Sequence, residues 1–258
     1  MSDTSTSGKR RPAWLVWIAG IGGGIVGAIA VNLLLSGGKS FTSGSTPISD
    51  QIDQAMLSTR TGSTLKERFP QDYRDAISKM AALSEDKSLK PTEIQQEAAK
   101  ITAAIRVKYS EFAGRAPDMS LQKVIEAQAG LLKYIRDERG ASACSRMANE
   151  GPTAFIPIPP GLSAQFDLAG GAMITAIAEG RRQPTSRPAA SQADFDTMIE
   201  GIRKKGVTDD EIDAVQDKAL DDSDCGVVIA MFETVAAMPA GVGERLRSYV
   251  VDSIAMTP

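Results

Sequence analysis

The residues of this chain that could do chemistry are mainly carboxylates, because the sequence holds 32 aspartates and glutamates and no histidine. The absence of histidine excludes Ser-His-Asp and Cys-His catalysis, histidine-ligated zinc, and the usual side-chain proton switch near neutral pH. Glycoside hydrolysis stays open, since it needs only two acidic side chains held several ångströms apart. No acidic residue lies in a sequence context apolar enough to raise its pKa plainly; the nearest candidates, Glu111 and Glu126, are expected to face solvent.

A cluster of four aspartates between residues 217 and 224 suggests a calcium site. An EF-hand loop beginning at Asp221 would place Gly226 correctly at the sixth position, but Phe232 would stand at the twelfth, where a bidentate carboxylate is required. We therefore interpret the cluster as a solvated turn between helices. No Gly-rich phosphate loop is present, and we expect neither a metal nor a cofactor.

The chain has two cysteines, Cys144 and Cys225, too few for a four-sulfur zinc site. Their even number, together with the extracytoplasmic location argued below, favours a disulfide bond over two buried free thiols. The bond would close a loop of about 80 residues, for which the chain-entropy model gives a stabilisation of roughly 4–5 kcal/mol.

Residues 13–35, AWLVWIAGIGGGIVGAIAVNLLL, contain no charged side chain. As a helix they would be roughly 34 Å long, enough to cross a hydrocarbon core of about 30 Å. A cleaved signal peptide is the alternative. The uncleaved anchor is favoured because the apolar run exceeds the roughly 7–15 residues of a signal peptide and no clear cleavage site follows it.

Three basic residues, Lys9, Arg10 and Arg11, precede this span, and the flank after it is poor in basic residues. Short flanks rich in Lys and Arg stay in the cytoplasm, so residues 1–12 are predicted to be a disordered cytoplasmic tail. Trp14 and Trp17, the only tryptophans, are expected at the inner membrane interface. The predicted location is the cytoplasmic membrane, with the C-terminal domain periplasmic or otherwise extracytoplasmic.

The predicted span also has small residues on adjacent helical rows: Gly20, Gly23, Gly24, Gly27 and Ala28. Small residues at this spacing let two helix backbones approach closely in lipid. Two interpretations stay open, a face for self-association or for a partner helix, and a Gly-rich anchor with no partner.

Beyond the span, the sequence predicts a flexible Ser/Gly/Thr tether over residues 36–49 and an all-α domain over 50–258. Apolar residues recur there at steps of three and four, and no stretch alternates as an amphipathic strand would. Predicted helices begin near Asp50 (short and loosely attached), Pro70, Pro91, Ser120, Ser163, Ser191, Thr208, Asp224 and Val242.

Two proline-containing segments interrupt these helices. Residues 151–161 hold four prolines and are predicted to be extended, either as a surface connector or as the lining of a groove. Residues 180–190 are basic and either divide the domain into two helical halves or loop out. A close helix crossing would explain why Gly170 and Gly171 are tolerated inside a predicted helix.

The net charge of −3 and the lack of a basic block argue against nucleic-acid binding. We expect a membrane-anchored interaction or scaffold module of the cell envelope, which binds a partner protein or itself. The alternative is a carboxylate-type envelope hydrolase acting on cell-wall glycan, so the question of enzymatic activity stays open. Two carboxylates facing each other in a deep cleft would favour the enzyme. A flat apolar patch, or a groove near Phe155, Ile156 and Pro157, would favour partner binding.

Overall fold

The computed structural model describes residues 46–159, 161–217 and 224–256. These residues form eleven α-helices, two 3₁₀ helices and no strand, which confirms the all-α prediction. The α-helices are α1 (Ile48–Leu57), α2 (Arg60–Arg68), α3 (Pro70–Glu85), α4 (Pro91–Lys108), α5 (Asp118–Arg139), α6 (Ala141–Glu150), α7 (Leu162–Arg182), α8 (Gln192–Arg203), α9 (Asp209–Asp217), α10 (Cys225–Ala237) and α11 (Val242–Met256). The 3₁₀ helices span Ser110–Arg115 and Gly151–Phe155.

Helix boundaries follow local chemistry. Helices α3 and α4 each begin with a proline, whose fixed φ suits a first helical residue and whose missing N–H costs nothing there. The predicted capping box at Thr208 is confirmed, because the Thr208 N–H donates to a Glu211 carboxylate oxygen at 2.8 Å and the Glu211 N–H donates to the Thr208 hydroxyl at 3.3 Å.

Two expectations about individual segments are wrong. Helix α1 is not loosely attached, because Ile52 and Met56 are completely buried. Residues 151–155, predicted to be extended, form a 3₁₀ helix with Pro152 in its first turn and Phe155 buried. A proline near the start of a helical turn is compatible with that turn, so the proline count alone misled the prediction.

Helix α5 is central to the fold, since it packs against α6, α7, α10 and α11. Its predicted inward residues Leu121, Ile125, Leu132 and Ile135 are all 0% exposed. Buried side chains from α1 through α11 form one hydrophobic core, to which helices before and after residues 183–190 contribute. That segment lies along the first 3₁₀ helix, where the Thr185 N–H donates to the Arg115 carbonyl at 2.8 Å.

Helix α7 makes the predicted close approach at Gly171 and a second one at Gly180, a residue assigned from the sequence to the linker 180–190. A Cβ on Gly171 would lie 3.1 Å from the Cβ of Arg60 in α2, and a Cβ on Gly180 would overlap the Phe112 carbonyl oxygen. Beside the first crossing, the Asp167 carboxylate accepts the backbone N–H groups of Arg60 and Thr61 at 2.8 and 3.0 Å. Helix α7 therefore caps the N-terminus of α2, because the first backbone N–H groups of a helix have no acceptor within the helix itself.

None of the described helices is both long and apolar enough to cross a membrane. The predicted span, residues 13–35, lies outside the described residues and stays a prediction.

Candidate functional site

The structure brings together one pair of predicted site residues. Cys144 in α6 and Cys225 in α10 form a disulfide bond with an S–S distance of 2.05 Å, which confirms the predicted pairing. Both cysteines are almost completely buried, so the bond ties α6 to α10 inside the core.

The other predicted site residues lie outside the described part of the chain: the basic residues 9–11, the two tryptophans and the small-residue face of the span. Residues 218–223, the middle of the acidic cluster, lie outside it too. Among the residues that are described, no three or more His, Cys, Asp or Glu side chains are grouped so that they could hold a metal ion.

The first candidate site is an open groove between α5 and α7, closed at one side by α2, with a volume of about 790 Å³. We call it the α5/α7 groove. Its polar rim carries Arg60, Lys123, Glu126 and Glu179. Glu179 accepts a hydrogen bond from the Ser120 hydroxyl at the end of the groove, and this bond joins α7 to α5 there.

The groove is wide because small residues line it: Ala127 and Gly130 on α5, and Gly171 and Ala172 on α7. The two glycines differ in what surrounds them. Gly171 has little room for a side chain, because a Cβ there would lie 3.1 Å from the Arg60 Cβ on α2. A Cβ on Gly130, in contrast, would meet no atom within 4 Å.

Gly130 lies at the centre of the exposed face of α5. Between residues 119 and 137, the exposed positions of this helix recur at alternating steps of four and three. We call these positions the α5 stripe: Met119, Lys123, Glu126, Gly130, Lys133 and Asp137. The spacing places them in a single row along the helix, and Met119 at its beginning is 70% exposed.

The second candidate site is a cleft of about 750 Å³ between the first 3₁₀ helix, residues 184–187 and α11. We call it the carboxylate cleft, because Glu111 and Asp252 both line it, together with Arg115 and Arg187. Burial raises the pKa of Asp252 above its ordinary value, and the positive charge of Arg115 opposes that rise.

Burial thus raises the pKa of Asp252, although no acidic residue was expected from the sequence to have a plainly raised pKa. A signal for it was present in the sequence, because Val250 and Val251 precede Asp252 and Ile254 follows it, and all three are buried. Glu111 and Glu126, the two candidates chosen from the sequence, are exposed as expected.

A buried arginine, Arg247, forms an ion pair that holds helices together. The Arg247 guanidinium, 2% exposed, donates to both carboxylate oxygens of Asp118 and to the backbone carbonyls of Val235, Ala236 and Met238. It thereby joins α5, α10 and α11 and satisfies carbonyls at the C-terminal end of α10. With its donors used in this way, Arg247 is not available to a ligand.

The Phe155 side chain, considered from the sequence as part of a partner-binding groove, lies in the core. The Phe155 ring is buried and packs against Phe166, with 6.2 Å between ring centroids. The Arg146 guanidinium lies 5.8 Å from the centre of the same ring. Phe155 therefore belongs to the core.

Comparison of this chain with protein-family models, with curated proteins and with solved structures finds no match. Its function is therefore inferred from its own geometry.

Proposed function

We propose that this chain is a membrane-anchored interaction module, which binds a protein partner of the cell envelope outside the cytoplasm through the α5/α7 groove. The observation that carries the proposal is Gly130. A glycine inside a helix costs about 1 kcal/mol relative to alanine. The folded chain gains nothing in return at Gly130, because no neighbour occupies the space of its missing side chain.

A partner that lies in the groove would explain this glycine. Helices pack with their axes about 8–10 Å apart, and small contact residues allow the closest approaches. A partner segment that rests on Gly130 would also meet Ala127 and Ala172 as apolar floor and the charged rim as a source of specificity. The groove thus has the composition of a protein interface more than that of a small-molecule pocket.

The setting of the groove comes from the sequence. The predicted span 13–35 would hold the domain at the membrane, and about a dozen residues separate the span from α1. A flexible segment of that length has a root-mean-square reach of roughly 20 Å. The disulfide bond between Cys144 and Cys225 supports an oxidising compartment, because such bonds are rare in the cytosol.

Site-specific photocrosslinking in cells tests the proposal. A photoreactive residue at Gln165, which lines the groove, should give a discrete adduct whose second component mass spectrometry identifies. The matched control is Lys100 on α4, an exposed residue that does not line the groove. In the groove variant, a second substitution, Gly130→Trp, should abolish the adduct while the circular dichroism spectrum stays unchanged. Equal adducts from Gln165 and Lys100 would refute the proposal. Photoreactive residues can also be placed at Lys123 and Leu168, which line the groove too, and the absence of an adduct from all three groove positions would likewise refute it.

A carboxylate-type hydrolase is the second candidate, and Asp252 is the observation that favours it. An acid that must donate a proton works best with a raised pKa, and Asp252 shares its cleft with a second carboxylate, Glu111. If the cleft is catalytic, Asp252→Asn and Glu111→Gln should each reduce glycan release from purified cell wall by about 100-fold or more. Asp196→Asn, an exposed substitution on α8, is the control. Absence of glycan release by the unaltered protein would eliminate this candidate.

A further inference from the structure

We infer that the occupant of the α5/α7 groove is a second copy of this chain, whose helix α5 crosses the first antiparallel at Gly130. The inference rests on the proposed function, since it names the partner for the same groove. Its basis is the order of charges along the α5 stripe.

A two-fold axis through Gly130 brings a residue of one copy opposite the residue of the second copy that lies the same number of positions from Gly130 in the other direction. Lys123 and Asp137 each lie seven positions from Gly130, so each lysine meets an aspartate of the second copy. Glu126 lies four positions before Gly130 and Lys133 three positions after it, so these two also fall within one helical turn of each other. The stripe is therefore complementary to itself, and each charge pair forms twice.

The same stripe does not suit other arrangements of two copies. In a parallel pairing, Lys123 would face Lys123 and Asp137 would face Asp137, and like charges in contact disfavour association. An antiparallel two-fold pairing also closes on itself, as most homodimers do, and leaves no second surface to extend a chain of copies.

The charged side chains of the stripe can exchange partners at little cost. Lys133 now pairs with Glu233, but Glu233 also binds Lys205 at 2.9 Å and keeps that partner if Lys133 turns away. Asp137 pairs with its exposed neighbour Arg136, and exposed pairs of this kind are weak. Moving these side chains into an interface therefore leaves no buried charge unpaired.

Pairing also covers two exposed apolar side chains, Met119 and Leu168. Met119 lies eleven positions before Gly130 and would lie near the C-terminal end of α5 in the second copy. On the opposite wall, Leu168 is 39% exposed and lies beside Ala172, where the incoming helix would rest. Together they supply apolar contacts at the groove and at the end of the stripe.

Disulfide trapping tests the pairing directly. Gly130→Cys in the full-length chain should form a covalent dimer under mild oxidation, because the two-fold axis brings the two introduced sulfurs together. The native cysteines do not compete, since they are bonded to each other. Lys100→Cys is the control, an exposed cysteine away from the groove that should stay monomeric. A Gly130→Cys chain that dimerises no more than this control would overturn the inference.

Charge reversal shows whether the contact is antiparallel. In the Gly130→Cys background, Lys123→Glu and Asp137→Lys should each slow covalent dimer formation by about tenfold or more, and the double reversal should restore it. Positions 123 and 137 are about 21 Å apart along one helix, so they cannot compensate each other within one chain. A double reversal no better than the single ones would reject the antiparallel contact.

The outcomes separate this inference from the proposed function. If Gly130→Cys fails to dimerise while Gln165 still crosslinks to a different protein, the groove is an interaction site and its partner is not a second copy. If neither experiment gives an adduct, both conclusions fall.

Discussion

Asp194 shows how a buried carboxylate in this chain serves stability. It lies in the first turn of α8, where it accepts the Ser191 N–H at 2.8 Å, and it accepts the Nε–H of Arg245 from α11 at 2.9 Å. Its side chain is 3% exposed. The hydrogen bond from Arg245 holds the pKa of Asp194 well below its ordinary value, against the opposing effect of burial.

Replacing this carboxylate should produce a pH-dependent loss of stability. Asp194→Asn is expected to lower the free energy of unfolding by about 2–4 kcal/mol at pH 7, because Arg245 loses its charged partner. A folded-state pKa below the unfolded value gives stabilisation that is present above pH about 4 and is lost as the pH falls through the lowered pKa. The difference between variant and wild type should therefore shrink below pH 4.

Urea denaturation at pH 7, 4 and 3 measures this effect. The control is Asp196→Asn on the same helix, where the aspartate is exposed and accepts a hydrogen bond from Gln192. Its effect should be under about 0.5 kcal/mol. A deficit for Asp194→Asn that stays constant from pH 7 to pH 3 would contradict the ion-pair explanation.

At the scale of single elements, helices α5 and α7 use glycine for different reasons. Gly180 is required by the fold, since its Cβ would overlap the Phe112 carbonyl oxygen, which belongs to backbone and cannot move cheaply. Gly180→Ala should destabilise the protein by about 2–3 kcal/mol. Gly130→Ala should stabilise it by about 0.5–1 kcal/mol, because alanine favours the helix and meets no neighbour.

Thermal unfolding of the two variants compares the effect of the same Gly→Ala substitution on stability at positions 180 and 130. The comparison also bears on the groove, because a gain in stability at Gly130 shows that folding alone does not retain the glycine. If Gly130→Ala destabilises the domain as much as Gly180→Ala, then the glycine has an internal role, and the main support for the α5/α7 groove as an interface is lost.

The disulfide bond acts on two elements that are far apart in sequence. Replacing both cysteines by alanine should lower the free energy of unfolding by roughly 4–5 kcal/mol, because the unfolded chain regains the freedom of a loop of 81 residues. Urea denaturation of the variant, and of the wild type with reductant, should give the same reduced midpoint. An unchanged midpoint under both conditions would show that the bond adds nothing to stability.

Most helices were predictable because their inward residues differ sharply in hydropathy from the rest. In α5, Leu121, Ile125, Leu132 and Ile135 recur at helical spacing and all lie in the core. The 3₁₀ helix at 151–155 was not predictable in the same way. Prolines favour both an extended chain and the first turn of a helix, and the burial of Phe155 against α7 decides between them.

The α5/α7 groove was not predicted from the sequence, in contrast to most of the helices. Gly130 resembles any mid-helix glycine until the positions of its neighbours show that the space beside it is open. Asp252 was missed because its significance depends on burial by other elements, which its own neighbours Val251 and Ile254 only suggest. Such residues acquire their roles from contacts between elements, and periodicity within one element does not report those contacts.

At the scale of the whole molecule, the inferred pairing and the predicted anchor are compatible. Two copies in one membrane require a two-fold axis perpendicular to the bilayer, about which the two predicted spans run parallel. An antiparallel pair of α5 helices fits the same axis if both helices lie in the plane of the membrane surface. The small-residue row from Gly20 to Ala28 would then provide a second contact between the same two copies.

The orientation of the chain in the membrane decides whether this arrangement exists at all. A reporter that is active only outside the cytoplasm, fused after Gly38, should be active, because the basic residues 9–11 predict an N-terminus inside the cytoplasm. A reporter that folds only in the cytoplasm should be silent at the same position and active before residue 9. The full-length protein should stay in the membrane fraction after an alkaline wash. Release by that wash would remove the anchor. Cytoplasmic activity after Gly38 would remove the oxidising compartment, and the Cys144–Cys225 bond would then need another explanation.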